Sequence, residues 1–122
     1  MKLGDYIQTA DFKKEKHAPV IEVPENIPAN TAVNIQVTVG KDIPHPNTVE
    51  HYIAWIALYF KGQDEKFVRE LGKIEFSSHV EGNCTEPQGL FHVKFSKPGT
   101  LIATSYCNLH GLWESSLDIT LS

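Results

Sequence analysis

Val33, Ile35, Val37 and Val39 alternate with Asn34, Gln36 and Thr38. Side chains of a strand point to opposite faces in turn, so the segment Ala32 to Val39 has one β-branched apolar face and one polar face. A helix cannot use this pattern, because its 3.6-residue period would scatter the apolar groups around the axis. The alternation returns at Phe91, Val93 and Phe95, and again at Leu117, Ile119 and Leu121. A strand with one apolar face must bury it against another element. No long helical period is present to supply that cover, so the cover must be a second sheet.

The remaining segments fit the same scheme. Val20-Ile21-Glu22-Val23 reads as a short strand stopped by Pro24 and Pro28. The stretch His51 to Phe60 is apolar on both faces, which predicts a central strand covered on both sides. Phe67 to Phe76 reads as a strand bent near Gly72, and Thr100 to Tyr106 as another, after a Pro98-Gly99 hairpin turn. Ser77 to Gln88 reads as a polar loop. These strands, with turns every 8–12 residues or so, predict an all-β fold, an immunoglobulin-like antiparallel β-sandwich of about seven strands. With 122 residues the chain is one domain, 1–122, long enough to bury a core without staples. Residues 1–12 hold few apolar side chains and read as an N-terminal arm or a single helical turn.

Charge and hydropathy remove several function classes. The net charge is −4, which argues against nucleic acid, since phosphate binding needs a basic face. No apolar run approaches the roughly 20 residues that span a bilayer, so no membrane role is expected. Met1-Lys2-Leu3-Gly4-Asp5 has no apolar stretch of the signal-peptide kind, which predicts a cytoplasmic protein. In a reducing cytosol the two cysteines stay thiols.

One of those thiols carries the chemistry. Cys107 and His110 stand three positions apart in a tight turn between two β-like runs. Thiolate and imidazole are strong ligands for iron, copper and zinc, but two ligands do not make a site. Glu15, His17, His45 and His51 supply the rest, all in loops or at strand ends. Pro44 and Pro46 flank His45, which excludes a helix interior or central strand and makes its loop rigid. Loops gather at the ends of a sandwich, so these distant segments can converge. Any one of these histidines alone is an ordinary surface residue, and a lone cysteine is commonly an inert buried thiol. The joint pattern is what points to a metal. Four imidazoles and one thiolate leave one octahedral position open, which suits a redox-active iron better than the closed tetrahedron of structural zinc. His79, in a polar loop, and His92, on the polar side of a strand, read as surface histidines. Cys84 reads as a loop thiol without a partner.

The segments EKHAP (Glu15 to Pro19), GKDIPHPNTVEH (Gly40 to His51) and SYCNLHGLWE (Ser105 to Glu114) resemble the three signature segments of superoxide reductase, the neelaredoxin/desulfoferrodoxin family. Order and spacing match over most of the chain from Asp11 onward. The resemblance implies one iron ion (Fe2+/Fe3+) per chain, with His17, His45, His51 and His110 equatorial and Cys107 axial. His110 would bind through Nδ and the other three through Nε. It implies that Glu15 can take the sixth position in the ferric state and that Lys16 stands beside the open site. It further implies superoxide as substrate, rubredoxin or a similar small electron donor, and a homo-oligomer, a tetramer. No cysteine precedes Cys84, so the chain resembles the one-iron form, without a cysteine-rich extra domain.

Two other readings compete. A cupredoxin is also a sandwich with a Cys…His turn near its C-terminus, but it usually adds a methionine after that histidine, and the one methionine here is Met1. A non-catalytic immunoglobulin-like binding module would pair Cys84 with Cys107 in a disulfide. The metal content separates the three: iron, copper or none.

Overall fold

Two antiparallel sheets face each other, and the alternating segments form them. The computed structural model describes residues 1–122. Its strands are β1 (Val20–Glu22), β2 (Val33–Thr38), β3 (Ile53–Gly62), β4 (Arg69–Glu75), β5 (His79–Val80), β6 (Asn83–Cys84), β7 (Gln88–Val93), β8 (Gly99–Cys107) and β9 (Gly111–Ile119). One sheet has the order β1-β2-β7, the other β4-β3-β8-β9, and β5-β6 is a separate small hairpin. The seven longer strands make the expected immunoglobulin-like sandwich. No helix is long and apolar enough to cross a membrane.

The period of two decides what lies inside. Ile35 and Val37 of β2 are fully buried, as are Ile56 and Leu58 of β3 and Leu101 and Ala103 of β8. Each large aliphatic group so buried contributes about 1.5–3 kcal/mol. Cys107, at the end of β8, belongs to the same core and is 0% exposed.

Four expectations need correction. First, β3 is central, but its outer face is not covered by another layer. Trp55 and Tyr59 there are only half-buried, with Trp55 stacked near Tyr106 of β8. Second, β4 is shorter than the expected Phe67 to Phe76, and Phe67 and Val68 are exposed. The bend near Gly72 is present: the β3–β4 register shifts between Leu58 and Tyr59, whose partners are Gly72 and Glu70. Third, the Ser77 to Gln88 segment is not wholly loop, because β5 and β6 pair within it. Fourth, β9 starts at Gly111, well before Leu117. It is an edge strand, and the polar residues Glu114, Ser115 and Ser116 dilute its alternation.

Candidate metal centre

Two loops and one hairpin meet at one end of the sandwich. His17 stands just before β1, His45 follows β2, His51 precedes β3, and Cys107 and His110 flank the β8–β9 turn. The first two therefore extend from the three-stranded sheet, the last three from the four-stranded sheet.

Each loop is held by its own bonds. Gly40 has φ +80, and a Cβ there would lie 2.6 Å from the His45 backbone nitrogen, so only glycine lets the chain fold back tightly under His45. The His45 ring Nδ1 donates to the Pro46 carbonyl at 2.6 Å. That bond sets the tautomer and leaves Nε2 with its lone pair. Thr48 closes a turn on His51, donating its backbone N–H to the His51 carbonyl (2.9 Å) and accepting the His51 N–H on Oγ1 (3.1 Å). Asn108 fastens the β8–β9 turn to this loop. Its Oδ1 accepts the Tyr52 N–H (2.9 Å), and its Nδ2 donates to the Glu50 carbonyl (2.9 Å). Gly111, at φ +82, lets the chain leave the turn.

The four imidazoles form a ring of neighbours in the order His17, His45, His51, His110. Successive centroids are 4.7, 4.6, 4.9 and 4.8 Å apart, and the His17–His51 diagonal is 6.2 Å. This is close to a square. The nitrogens that converge are Nε2 of His17 and Nε2 of His51, each 3.2 Å from Nδ1 of His110. Ligand atoms of His17, His45, His51 and Cys107 all lie within 4.8 Å of one another. Cys107 Sγ is 3.6 Å from His110 Nδ1. The thiol reaches the square from the core, while His51 is half-buried and His110 exposed, so the opposite side faces solvent.

The electrostatics favour a cation. His45 Nε2 is buried and has no hydrogen-bond partner. An orphaned lone pair of this kind costs free energy unless something accepts it. Burial, opposed by the Pro46 carbonyl and reinforced by His17, His51 and Lys16, pulls His45 from 6.5 down to about 4. His51 is also lowered, by burial first and then by the neighbouring charges of His110, Lys16 and His17. Both rings are therefore neutral and ready to donate at physiological pH. The donor set, neutral imidazoles with one thiol, fits a transition metal.

Glu15 is near the cluster but not among its convergent atoms. One carboxylate oxygen contacts His17 Nδ1, and the other accepts the backbone N–H groups of His17 and of Ala18, the latter at 3.0 Å. Burial alone would raise the Glu15 carboxyl; these bonds outweigh it and hold the carboxyl below its ordinary value. Lys16 is half-buried and close enough to bias both His45 and His51.

Some supporting contacts had no signal in the sequence. Trp113 stacks on His17 at 4.8 Å and 11°, and Ser105 Oγ, fully buried, donates to the His17 carbonyl at 3.2 Å. His79 is half-buried and not a free surface group. Its ring stacks on Tyr52 at 3.8 Å and bonds Asn47 Oδ1 (2.9 Å) and the Phe76 carbonyl (2.8 Å), bracing the loop between His45 and His51. His92 is exposed, as expected, and bonds Asn34 across the β2–β7 pair at 2.8 Å. Cys84 and Cys107 are both free thiols, so the disulfide of the binding-module reading is not formed.

A sequence profile of the family described as desulfoferrodoxin matches residues 9–116. A superoxide reductase of Pyrococcus abyssi is 48% identical, covering 96% of this chain and 98% of its own length. A Thermotoga maritima protein with a provisional superoxide reductase name is 53% identical, covering 99% of this chain and 98% of its own. Its crystal structure superposes with a TM-score of 0.96 over 100% of this chain and 98% of that one, at 52% identity. The reduced superoxide reductase (neelaredoxin) of Archaeoglobus fulgidus gives a TM-score of 0.88 at 46% identity, covering 95% of this chain and 99% of that one.

Proposed function

This chain belongs to the desulfoferrodoxin family, and on that premise we propose that it is a superoxide reductase, reducing superoxide to hydrogen peroxide at one iron. The ligands are His17, His45, His51, His110 and Cys107. The observation that carries the reading is the near-square of four imidazoles, backed by a buried thiol on one side and open to solvent on the other. The buried, unpartnered Nε2 of His45 is the local sign that a cation completes the site.

When bound, iron supplies the single electron; superoxide plus one electron and two protons gives hydrogen peroxide. Everything else falls to the chain. The neutral imidazoles leave positive charge uncompensated at the open face, which favours an anion. Lys16, whose charge bears on both His45 and His51, adds to that field and passes a proton. Cys107 would hold the metal from the core side and, as its thiolate ligand, would push electron density toward it. Glu15 would reach the open face only by releasing His17 and Ala18, so closing that face would be a movement away from the bonds described above.

Re-reduction needs a donor, and a small carrier such as rubredoxin suits the centre because His51 and His110 reach the surface. The uncovered outer face of β3 and β8, with Trp55, Tyr59 and Tyr106 half-buried, supports a homo-oligomer. The cytoplasm, with its reduced thiols, fits two free cysteines.

The test is stoichiometric. Iron-loaded protein, given pulsed superoxide and a reductant, should yield one peroxide per superoxide with matching donor oxidation. Oxygen release with little donor oxidation would refute reduction in favour of dismutation. Cys107→Ser should abolish the thiolate-to-iron absorption of the oxidised protein; an unchanged spectrum would refute the ligand set.

A further inference from the structure

Gln8 lies in the N-terminal arm, 102 residues before His110, yet it makes three bonds to the hairpin that carries Cys107 and His110. Its backbone N–H donates to the Leu112 carbonyl (3.0 Å), and its carbonyl accepts the Glu114 N–H (2.9 Å). These bonds lay the arm parallel to β9 at Trp113. Its side-chain Nε2 donates to the His110 carbonyl at 2.9 Å. The Trp113 indole N–H donates to the same carbonyl at 3.3 Å, while its ring stacks on His17. One carbonyl oxygen, two lone pairs and two donors close the arrangement.

We propose that Gln8 is a positioning residue of the metal centre, fixing the His110 peptide and with it the direction of Nδ1. The reasoning is geometric. Nδ1 is the ring nitrogen nearer the backbone, and only two side-chain torsions separate it from the peptide. The next residue is Gly111, which has no Cβ to restrain the chain. The turn therefore needs an external clamp, and Gln8 with Trp113 provides it. The inference rests on His110 being a metal ligand. It also has a thermodynamic corollary. Most of the arm is exposed, with only Ile7 and Phe12 half-buried among its residues, so little apolar burial holds it down. If the docked arm favours the filled centre, the filled centre must favour the docked arm to the same degree.

Cobalt(II) is the probe, because a thiolate-bound cobalt has its own absorption and needs no turnover. The proteins are wild type, Gln8→Ala, Gln8→Glu and Gln8→Lys. All four keep the two backbone bonds of residue 8; only the side-chain donor changes. Gln8→Ala and Gln8→Glu should weaken cobalt binding about 10-fold, the low end for an outer-shell partner, and shift the thiolate-to-cobalt band. Gln8→Lys restores a donor and should recover most of the affinity. In wild type, exchange of the Gln8 and Glu114 amide hydrogens should slow when cobalt is added. Unaltered affinity and spectrum in Gln8→Ala and Gln8→Glu would overturn the role of Gln8. So would an equal loss in Gln8→Lys, which would make arm shape and not the donor responsible. A wild-type protein with no thiolate-to-cobalt band would overturn the ligand assignment itself, and this inference with it.

Discussion

Removing the imidazole of His45 should flatten the acid sensitivity of the metal-free protein. His45 is 9% exposed and titrates at about 4 in the folded chain, against 6.5 when free. Above pH 6.5 both states carry it neutral, and it adds no pH dependence. Between pH 6.5 and 4 the unfolded chain takes up the proton and the folded chain does not, so stability falls as pH falls. Below about 4 both states are protonated and the loss is complete. A shift from 6.5 to about 4 is worth about 1.4 kcal/mol per pH unit, or about 3 kcal/mol in all. His51 and Glu15, both lowered, act with the same sign, so the whole-protein curve alone does not isolate His45. The difference between wild type and His45→Asn does. Urea unfolding in the presence of a chelator, at several pH values from 7 to 4, measures it. The stability gap between the two proteins should narrow by about 3 kcal/mol from pH 7 to pH 4. A gap that stays constant across that range would mean that His45 protonates freely in the folded chain and that its burial has been misjudged.

Gly40→Ala should cost about 1–3 kcal/mol and also weaken metal binding, because the new Cβ would press on the His45 backbone nitrogen at a φ of +80; full retention of both, by chemical unfolding and metal titration, would refute that packing. Lys16→Ala should slow the second-order reaction of the reduced protein with superoxide. A unit charge roughly 6 Å away contributes about 0.7 kcal/mol in water and about 2.8 kcal/mol at a dielectric near 20, so the slowing is roughly 3- to 100-fold. The variant should also be less salt-sensitive, and equal salt slopes in pulse radiolysis would exclude steering by Lys16. Glu15→Ala should change the ferric spectrum and ease anion binding while leaving the first encounter with superoxide nearly intact; loss of that first step would show that Glu15 serves His17 and not the open position.

The sandwich was legible because burial and the strand period coincide. Val33 to Val39 and Leu90 to Phe95 carry their inside and outside faces in plain alternation, and the β2–β7 pairing runs from Val33↔Val93 to Thr38↔Gln88. The convergence of the four histidines and Cys107 was legible because these residues are chemically rare and sit beside turn residues. What was not legible depends on contacts made across the fold. Nothing in the neighbourhood of Trp113 marks it as the partner of His17, and nothing near His79 marks it as the brace of a loop some thirty residues earlier, at Asn47. The outer face of β3 misled for a related reason: a run of large apolar residues signals burial, but not whether the cover comes from the same chain. The edge strand β9 was underread because its outward residues face water and keep no period.

The ring of imidazoles has a mechanical meaning as well as a chemical one. His17 and His45 belong to one layer of the sandwich, and His51, Cys107 and His110 to the other. No ladder of backbone bonds joins the two layers; packing and isolated bonds, such as Ser105 Oγ to the His17 carbonyl and the Ser122 N–H to the Ile27 carbonyl, do that. A metal seated there rivets the layers at one end. Because the site exists only when the two layers are assembled, the free energy of metal binding adds to the free energy of folding. A metal held there would guard the geometry of its own centre by favouring the closed arrangement of the two layers.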